Sequence, residues 1–271
     1  VICFPNAKIN LGLNIVEKRP DGFHNIETIF YPIDLCDALE IIPSGEESFD
    51  FHTTGIQVVC DPESNLVMKA VRLVSGACNP SPGLRIHLHK VIPTGAGLGG
   101  GSSDGAHAIK LLNDLWSTEL TVLQIQDLAR QIGSDCAFFI ENRPVFASGR
   151  GDRFEPVHVN LSGYQIVIIV PPVHVSTTDA YAMATPRKPE NSLKEIIQLP
   201  VEEWKELLTN DFEKPVMQKY PVIRKIKEEL YNRGALYAAM SGSGAGVYGI
   251  FSRQQAAGSG QFEEDYKVFQ C

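Results

Sequence analysis

No stretch of this chain is apolar for long enough to cross a bilayer. Val1 to Phe4 lack a basic leader and Lys8 interrupts the apolar residues after them, so no signal peptide is expected. The first residue is not Met, which suggests trimming, and a targeting segment removed beforehand is compatible with that. An excess of positive charge is missing as well: 24 Lys and Arg stand against 32 Asp and Glu, a net charge of −8. This argues against nonspecific nucleic-acid binding. It leaves room for an anionic substrate held by local donors. Six cysteines occur (Cys3, Cys36, Cys60, Cys78, Cys136, Cys271), but none are spaced as metal ligands. Most have apolar neighbours, as free thiols of a reducing, cytoplasmic setting do. His87 and His89 alternate with Leu84, Ile86 and Leu88, and without a third ligand they read as one face of a strand. A 44% hydrophobic chain of 271 residues makes one large or two modest domains.

What the chain has is glycine in one place. Gly95, Gly97, Gly99, Gly100, Gly101 and Gly105 crowd the segment from Pro93 to Ala106. A strand pattern, Leu84 to Ile92, runs into it, and Ala108, Ile109, Leu112, Leu115 and Trp116 follow at helical spacing. Glycine admits positive φ and close approach of a ligand, and a helix start offers unpaired N–H groups and the positive end of its dipole. That combination holds phosphates. Gly95-x-Gly97-x-x-Gly100 satisfies a dinucleotide fingerprint, but the acidic residue at the required distance, Asp114, lies inside the helical pattern. The Walker pattern fails because Gly101 stands where lysine is needed.

Elsewhere the periodicities are plain. Val1 to Val16 and Asp37 to Ile42 read as strands, and Asn65 is placed to cap a helix over residues 66–75. Ser44 to Ser48 is turn-like. Thr121-x-x-Gln124 is a capping box for a helix that Gly133 ends. Val145 to Asp152 is a strand and turn, and Tyr164 to Val170 is strongly β. Helical segments follow near 201–208 and 216–220, and Pro221 to Gly234 frames an amphipathic helix. Gln254 to Gly260 is polar and expected to be mobile, and the segment after Gln261 reads as a strand.

Pro93-x-x-x-Gly97-Leu98-Gly99-Gly100-Gly101-Ser102-Ser103 resembles the phosphate loop of the GHMP kinases. Two further motifs occur in that family's order. Pro5-Asn6-Ala7-Lys8-Ile9-Asn10 resembles the N-terminal motif, and Met240-Ser241-Gly242-Ser243-Gly244 resembles the glycine turn of the C-terminal half. Arg19-Pro20-Asp21-Gly22-Phe23-His24 resembles a cytosine-holding segment, an aromatic ring for the base face and histidine for its polar edge. The resemblance spans Asn6 to Phe251. Its departures are Gly105 where alanine is common and Phe23 where tyrosine is.

The resemblance implies an α+β, two-domain GHMP kinase fold, with mixed sheets, helices on one side and the active site in the interdomain cleft. The domains would be 1–156 (N-terminal, ATP-binding) and 157–271 (C-terminal). It implies ATP as phosphoryl donor with Mg²⁺. The acceptor would be CDP-methylerythritol, phosphorylated on the methylerythritol moiety in the non-mevalonate route to isoprenoids. Asp135, in Gly133-Ser134-Asp135, is then the general base, assisted by Lys8, whose charge favours the ionised carboxylate. Asn10, Phe23, His24 and Tyr181 would meet the acceptor. Asn65, Lys90, Pro93, Gly95, Gly97, Leu98, Gly99, Gly100, Gly101, Ser102 and Ser103 would meet ATP.

Plainer readings stand beside these. Asp135 could cap the next helix, Lys8 could be a solvated edge-strand lysine, and Asn65 could only cap. Lys90 could be solvated, Phe23 could be a core aromatic, and Tyr181 a buried helical tyrosine. Ser103 could cap, bind phosphate or sit near Mg²⁺. Asn210-Asp211-Phe212-Glu213 resembles a family signature and reads as structural. A monomer or weak homodimer is expected, with no nucleic acid and no membrane. The alternatives are another GHMP small-molecule kinase or a non-catalytic nucleotide-binding regulator on the same scaffold.

Overall fold

The computed structural model of the chain describes residues 1–45, 48–58, 61–76, 83–253 and 262–271. The polar stretch 254–260, Cys60, Cys78 and the middle of the turn after Ser44 lie outside the described residues. In chain order the strands are β1 (Ile2–Cys3), β2 (Asn6–Lys18), β3 (His24–Cys36), β4 (Ala38–Pro43), β5 (Phe49–Gly55), β6 (Leu84–Lys90), β7 (Val145–Ser148), β8 (Arg153–Pro156), β9 (Tyr164–Val170), β10 (Tyr237–Met240), β11 (Val247–Ser252) and β12 (Lys267–Gln270). The helices are α1 (Leu66–Ser75), α2 (Gly100–Trp116), α3 (Val122–Ile132), α4 (Phe138–Glu141), α5 (Thr177–Met183), α6 (Leu193–Ile196), α7 (Trp204–Leu207), α8 (Glu213–Lys219) and α9 (Pro221–Asn232).

The chain divides into two interleaved units. The first is Val1–Ala7, Asp34–Thr94 and Gly99–Arg143. Its sheet runs β1-β4-β6-β5, with β5 parallel to β6 and the other pairs antiparallel. Along β6, Leu84, Ile86 and Leu88 are buried while Arg85, His87 and His89 are exposed. One face of the sheet is therefore covered and the other is wet. The exposed face holds the two histidines, both bonded to Thr54 at 2.9 Å. Buried Val67, Ala70, Val71 and Val74 line α1, and Ala106, Ala108, Ile109 and Leu112 line α2. Asn65 caps α1 by accepting the Val67 N–H at 2.9 Å, and the Thr121–Gln124 capping box opens α3.

The second unit is Lys8–Ile33, Gly95–Leu98 and Pro144–Cys271. It holds the sheets β2-β3-β7-β8 and β10-β11-β9-β12. The segment after Gln261 does end in a strand, β12, paired antiparallel to β9. Its core gathers Leu13, Ile15, Val167, Ile169, Phe212, Val216, Ile223, Ile226 and Leu230. The helix expected over 201–208 is a 3-10 turn followed by the single turn α7, and α8 begins at Glu213, ahead of the expected 216. The 156/157 sequence boundary falls within this unit, at the end of β8.

Candidate active site

In the first unit the candidate site residues are built on the glycine run. Gly99 is the N-cap of α2 in a left-handed conformation, φ 71°, and no side chain caps this helix. The helix thus starts earlier than the apolar spacing predicts, within the glycines. Gly100 is needed there for packing, because a Cβ on it would come within 2.8 Å of the Ile92 side chain. The Ser103 N–H already donates to Gly99 O at 2.9 Å. The amides of Gly100, Gly101 and Ser102 are the ones without an intrahelical partner. Space beside Gly101 is open: beyond its chain neighbours and the helix's own backbone, nothing lies within 4 Å of where its Cβ would stand. Open amides at a positive dipole end suit an anion.

Ser103 does not cap. It is buried, with its Oγ 3.3 Å from His107 Nδ1. Burial holds the His107 imidazole down to about 4, against a weaker opposing backbone bond to Ser103.

Lys90 departs from the solvated reading. It is 2% exposed, and its ammonium lies between Asp37 and Asp104, the latter at 2.7 Å. Asp37 also accepts the N–H groups of Val91 and Ile92, at 2.6 and 2.9 Å. A buried carboxylate thus fixes the backbone where β6 turns into the glycine run, and the lysine ties it to the first turns of α2. Asp104 Oδ1 is buried without a hydrogen-bond partner. Burial, with Asp37 beside it, raises the Asp104 carboxyl to about 7 against the pull of Lys90. Sequence reasoning missed Asp37 and Asp104. The available signal was an aspartate between apolar segments at Cys36-Asp37-Ala38.

Asn65 makes the cap expected of it. Asp135 is half-buried in the turn before α4, whose N-cap position is Ala137.

The second unit holds the other motif residues. Lys8 is 3% exposed, not solvated, and donates to Asn10 Oδ1 at 2.6 Å and to Gly97 O at 2.9 Å. Asn10 is equally buried, and its amide nitrogen donates to Thr28 Oγ1 at 2.9 Å. With both ends of its amide engaged, Asn10 orients Lys8. Ser241 Oγ donates to the same Gly97 carbonyl at 2.9 Å and receives the Asn10 N–H at 3.3 Å. Gly97 has φ 73°, and a Cβ there would collide with the Ser241 carbonyl. The glycine turn after β10 thus lies directly on the residues 95–98, and the Ala245 and Gly246 amides bond to Gly95 O and Ala96 O at 3.1 Å.

Phe23 is not a core aromatic: it is 50% exposed, with the Arg150 guanidinium 3.9 Å from its ring centre. His24 and Tyr181 stack with ring centres 4.8 Å apart and planes 18° apart. Tyr181 meets Phe212 edge-on at 4.9 Å. Tyr181 is half-buried on α5, so the helical position was legible while its partner His24 was not. Burial and then the Lys18 charge lower the His24 imidazole, which favours its neutral form.

An α+β chain with an uncapped glycine-rich helix start, a buried lysine on the loop carbonyl and a second glycine turn has the parts of a small-molecule phosphotransferase. Residues 65–143 match the model for the GHMP kinases N terminal domain, and residues 192–261 match that for GHMP kinases C terminal. The chain belongs to the GHMP kinase family. It is 52% identical over 265 residues to a 4-diphosphocytidyl-2-C-methyl-D-erythritol kinase of Bacteroides fragilis, covering 97% of this chain and 96% of that one. It is 55% identical over 253 residues to the protein of that name in Parabacteroides distasonis, covering 93% and 92%. A crystal structure of 4-(cytidine 5'-diphospho)-2C-methyl-D-erythritol kinase superposes with a TM-score of 0.85 at 29% identity, covering 100% of this chain and 98% of that one. The mevalonate kinase of Methanococcus jannaschii shares the fold, with a TM-score of 0.76 at 17% identity, covering 100% and 97%.

Proposed function

We propose that this kinase transfers the γ-phosphoryl group of ATP to the 2-hydroxyl of 4-diphosphocytidyl-2-C-methyl-D-erythritol, in the non-mevalonate isoprenoid pathway. More than half identity over nearly all of both chains supports the acceptor. Within the structure, the observation that carries phosphoryl transfer is Lys8, a buried cation tied to the carbonyl of the phosphate loop itself. Such transfers need alignment, charge neutralisation and a proton acceptor more than covalent chemistry.

In this reading Asp135 takes the proton of the acceptor hydroxyl, and Lys8 stabilises the oxyanion that develops. The Gly100, Gly101 and Ser102 amides receive the triphosphate, which fits their lack of internal partners and the open space beside Gly101. Asn65 borders the adenine. Phe23, His24 and Tyr181 hold the cytosine by stacking and by the polar edge of the imidazole. Among the described residues no group of three or more His, Cys, Asp or Glu is placed to hold a metal. A Mg²⁺ ion would therefore take most of its oxygens from phosphates and water, with Asp135 or a loop serine as the protein's contribution, and would neutralise charge on the transferring group. Among the described residues no helix is long and apolar enough to cross a membrane. We place the enzyme in the cytoplasm as a monomer or weak homodimer.

The test is ATP consumption by the purified protein with this cytidine acceptor, against mevalonate, homoserine and galactose. Turnover confined to the cytidine compound is expected. Turnover with another of the acceptors, or with none, would contradict the reading.

A further inference from the structure

Four consecutive residues, Asn210-Asp211-Phe212-Glu213, send their side chains to different parts of the second unit. Asn210 is 4% exposed, and its amide nitrogen donates to Met240 O at 2.9 Å and to Gly242 O at 2.8 Å. Its Oδ1 accepts the Phe212 N–H at 3.0 Å, so the amide is engaged at both ends. Glu213 Oε1 accepts the Met240 N–H at 2.8 Å, and its Oε2 is neutralised by Lys227 at 2.7 Å. Both backbone sides of Met240 are therefore gripped, one residue before Ser241 reaches Gly97. Asp211 Oδ2 accepts the Ile15 N–H at 2.8 Å, and the Asp211 N–H donates to Leu13 O at 2.9 Å, so β2, the strand of Lys8 and Asn10, is braced by the same segment. Arg187 closes the remaining carboxylate oxygen at 3.0 Å. Phe212, 1% exposed, presents its ring at 86° to Tyr181, which also stacks on His24.

Core packing alone asks only for an apolar residue of the right size. Here an amide engaged at both ends and two carboxylates point at backbone groups beside the motif residues, and a single ring backs the aromatic pair. Polar groups so engaged fix one geometry, because any displacement leaves buried donors or acceptors unmet.

We infer that Asn210-Asp211-Phe212-Glu213 is a positioning segment with divided duties. Asn210 and Glu213 set the glycine turn at 240–242, and through Ser241 the loop carbonyl that holds Lys8. Phe212 sets the Tyr181–His24 stack. This rests on the kinase reading for what each side serves: Phe212 governs acceptor affinity, and Asn210 governs turnover.

The experiment compares the full chain with Phe212→Leu, Asn210→Ala and Ser241→Ala, reading kcat, both KM values, the thermal midpoint and backbone amide exchange. Phe212→Leu raises the acceptor KM about tenfold and leaves kcat and the ATP KM nearly unchanged. Asn210→Ala lowers kcat about tenfold and leaves the acceptor KM nearly unchanged. If Asn210→Ala does not fold, Ser241→Ala breaks the next link of the same chain and shows the same kcat loss. Amide exchange is faster over 240–248 in the glycine-turn variants and over 177–183 in Phe212→Leu. Variants that only melt earlier, with kinetics unchanged or with kcat and both KM values moving alike, would overturn the inference. A wild-type protein without turnover would instead sink the kinase reading, and the two separate exchange patterns would then decide the inference.

Discussion

Asp104 stands where a carboxylate is costly. It is 2% exposed, it shares one ammonium with Asp37, and one of its oxygens has no partner. Asp37 has the better environment, with two backbone N–H donors besides Lys90. The proton of the cluster therefore belongs on Asp104, whose carboxyl burial raises to about 7. The unfolded carboxyl ionises near 3.9, so between about pH 4 and 7 the folded state holds more protons than the unfolded one. The contribution of Asp104 to stability is complete below this window, falls as pH rises through it, and levels off above it. Asp104→Asn keeps the shape of the neutral acid and loses the titration. Its thermal midpoint should gain on that of the wild type from pH 4.5 to about 7 and hold level above that, and a constant gap from pH 4.5 to 7 would contradict this placement of the proton.

Much of this residue scale was closed to sequence reading. The pattern marked Lys8 and Asp135, but Lys90 meets Asp37 across 53 residues and Ser241 meets Gly97 across 144. Pairings at that separation leave no periodicity behind. The sequence does not show that Lys90 meets two buried carboxylates, Asp37 and Asp104.

At the scale of elements the sequence was more open. α1 occupies 66–75 because Asn65 supplies the cap and the apolar stripe of Val67, Ala70, Val71 and Val74 supplies the buried face. β9 occupies Tyr164–Val170 because a β-branched run bounded by Pro171 has no helical alternative. Elements governed by local chemistry and period were legible. The start of α2 was not, since its first residues are glycines chosen for packing on Ile92 and for open amides, not for helix propensity.

The two readings of Asn65, cap and adenine contact, part at this scale in one variant. Asn65→Ala removes the cap and should cost about 1 kcal/mol of stability by denaturant melting. If the side chain also borders adenine, the ATP KM rises in the same variant. A lower midpoint with an unchanged ATP KM would leave Asn65 as a cap alone.

Across the whole molecule, the motifs in the sequence lie in two interleaved units rather than in two successive blocks. Residues 95–98 and β2 from Lys8 onward belong to the second unit, while Gly99 and the helix it starts belong to the first. Composition and a linear pattern see one boundary, because they follow the chain. Packing sees several, because the N-terminal strand and the loop are held where their hydrogen bonds are. The order of the family motifs nevertheless identified the architecture, and the family match over 65–143 and 192–261 agrees with it.

Everything proposed for the molecule as a whole turns on Asp135 as base and Lys8 as the cation beside the forming oxyanion. The decisive measurement is single-turnover phosphoryl transfer to 4-diphosphocytidyl-2-C-methyl-D-erythritol with saturating ATP, comparing the wild type with Asp135→Asn, and with ATP affinity measured separately. Asp135→Asn is expected to slow the transfer about 100-fold or more while ATP binds as before. Transfer by Asp135→Asn at the wild-type rate would remove Asp135 as the base.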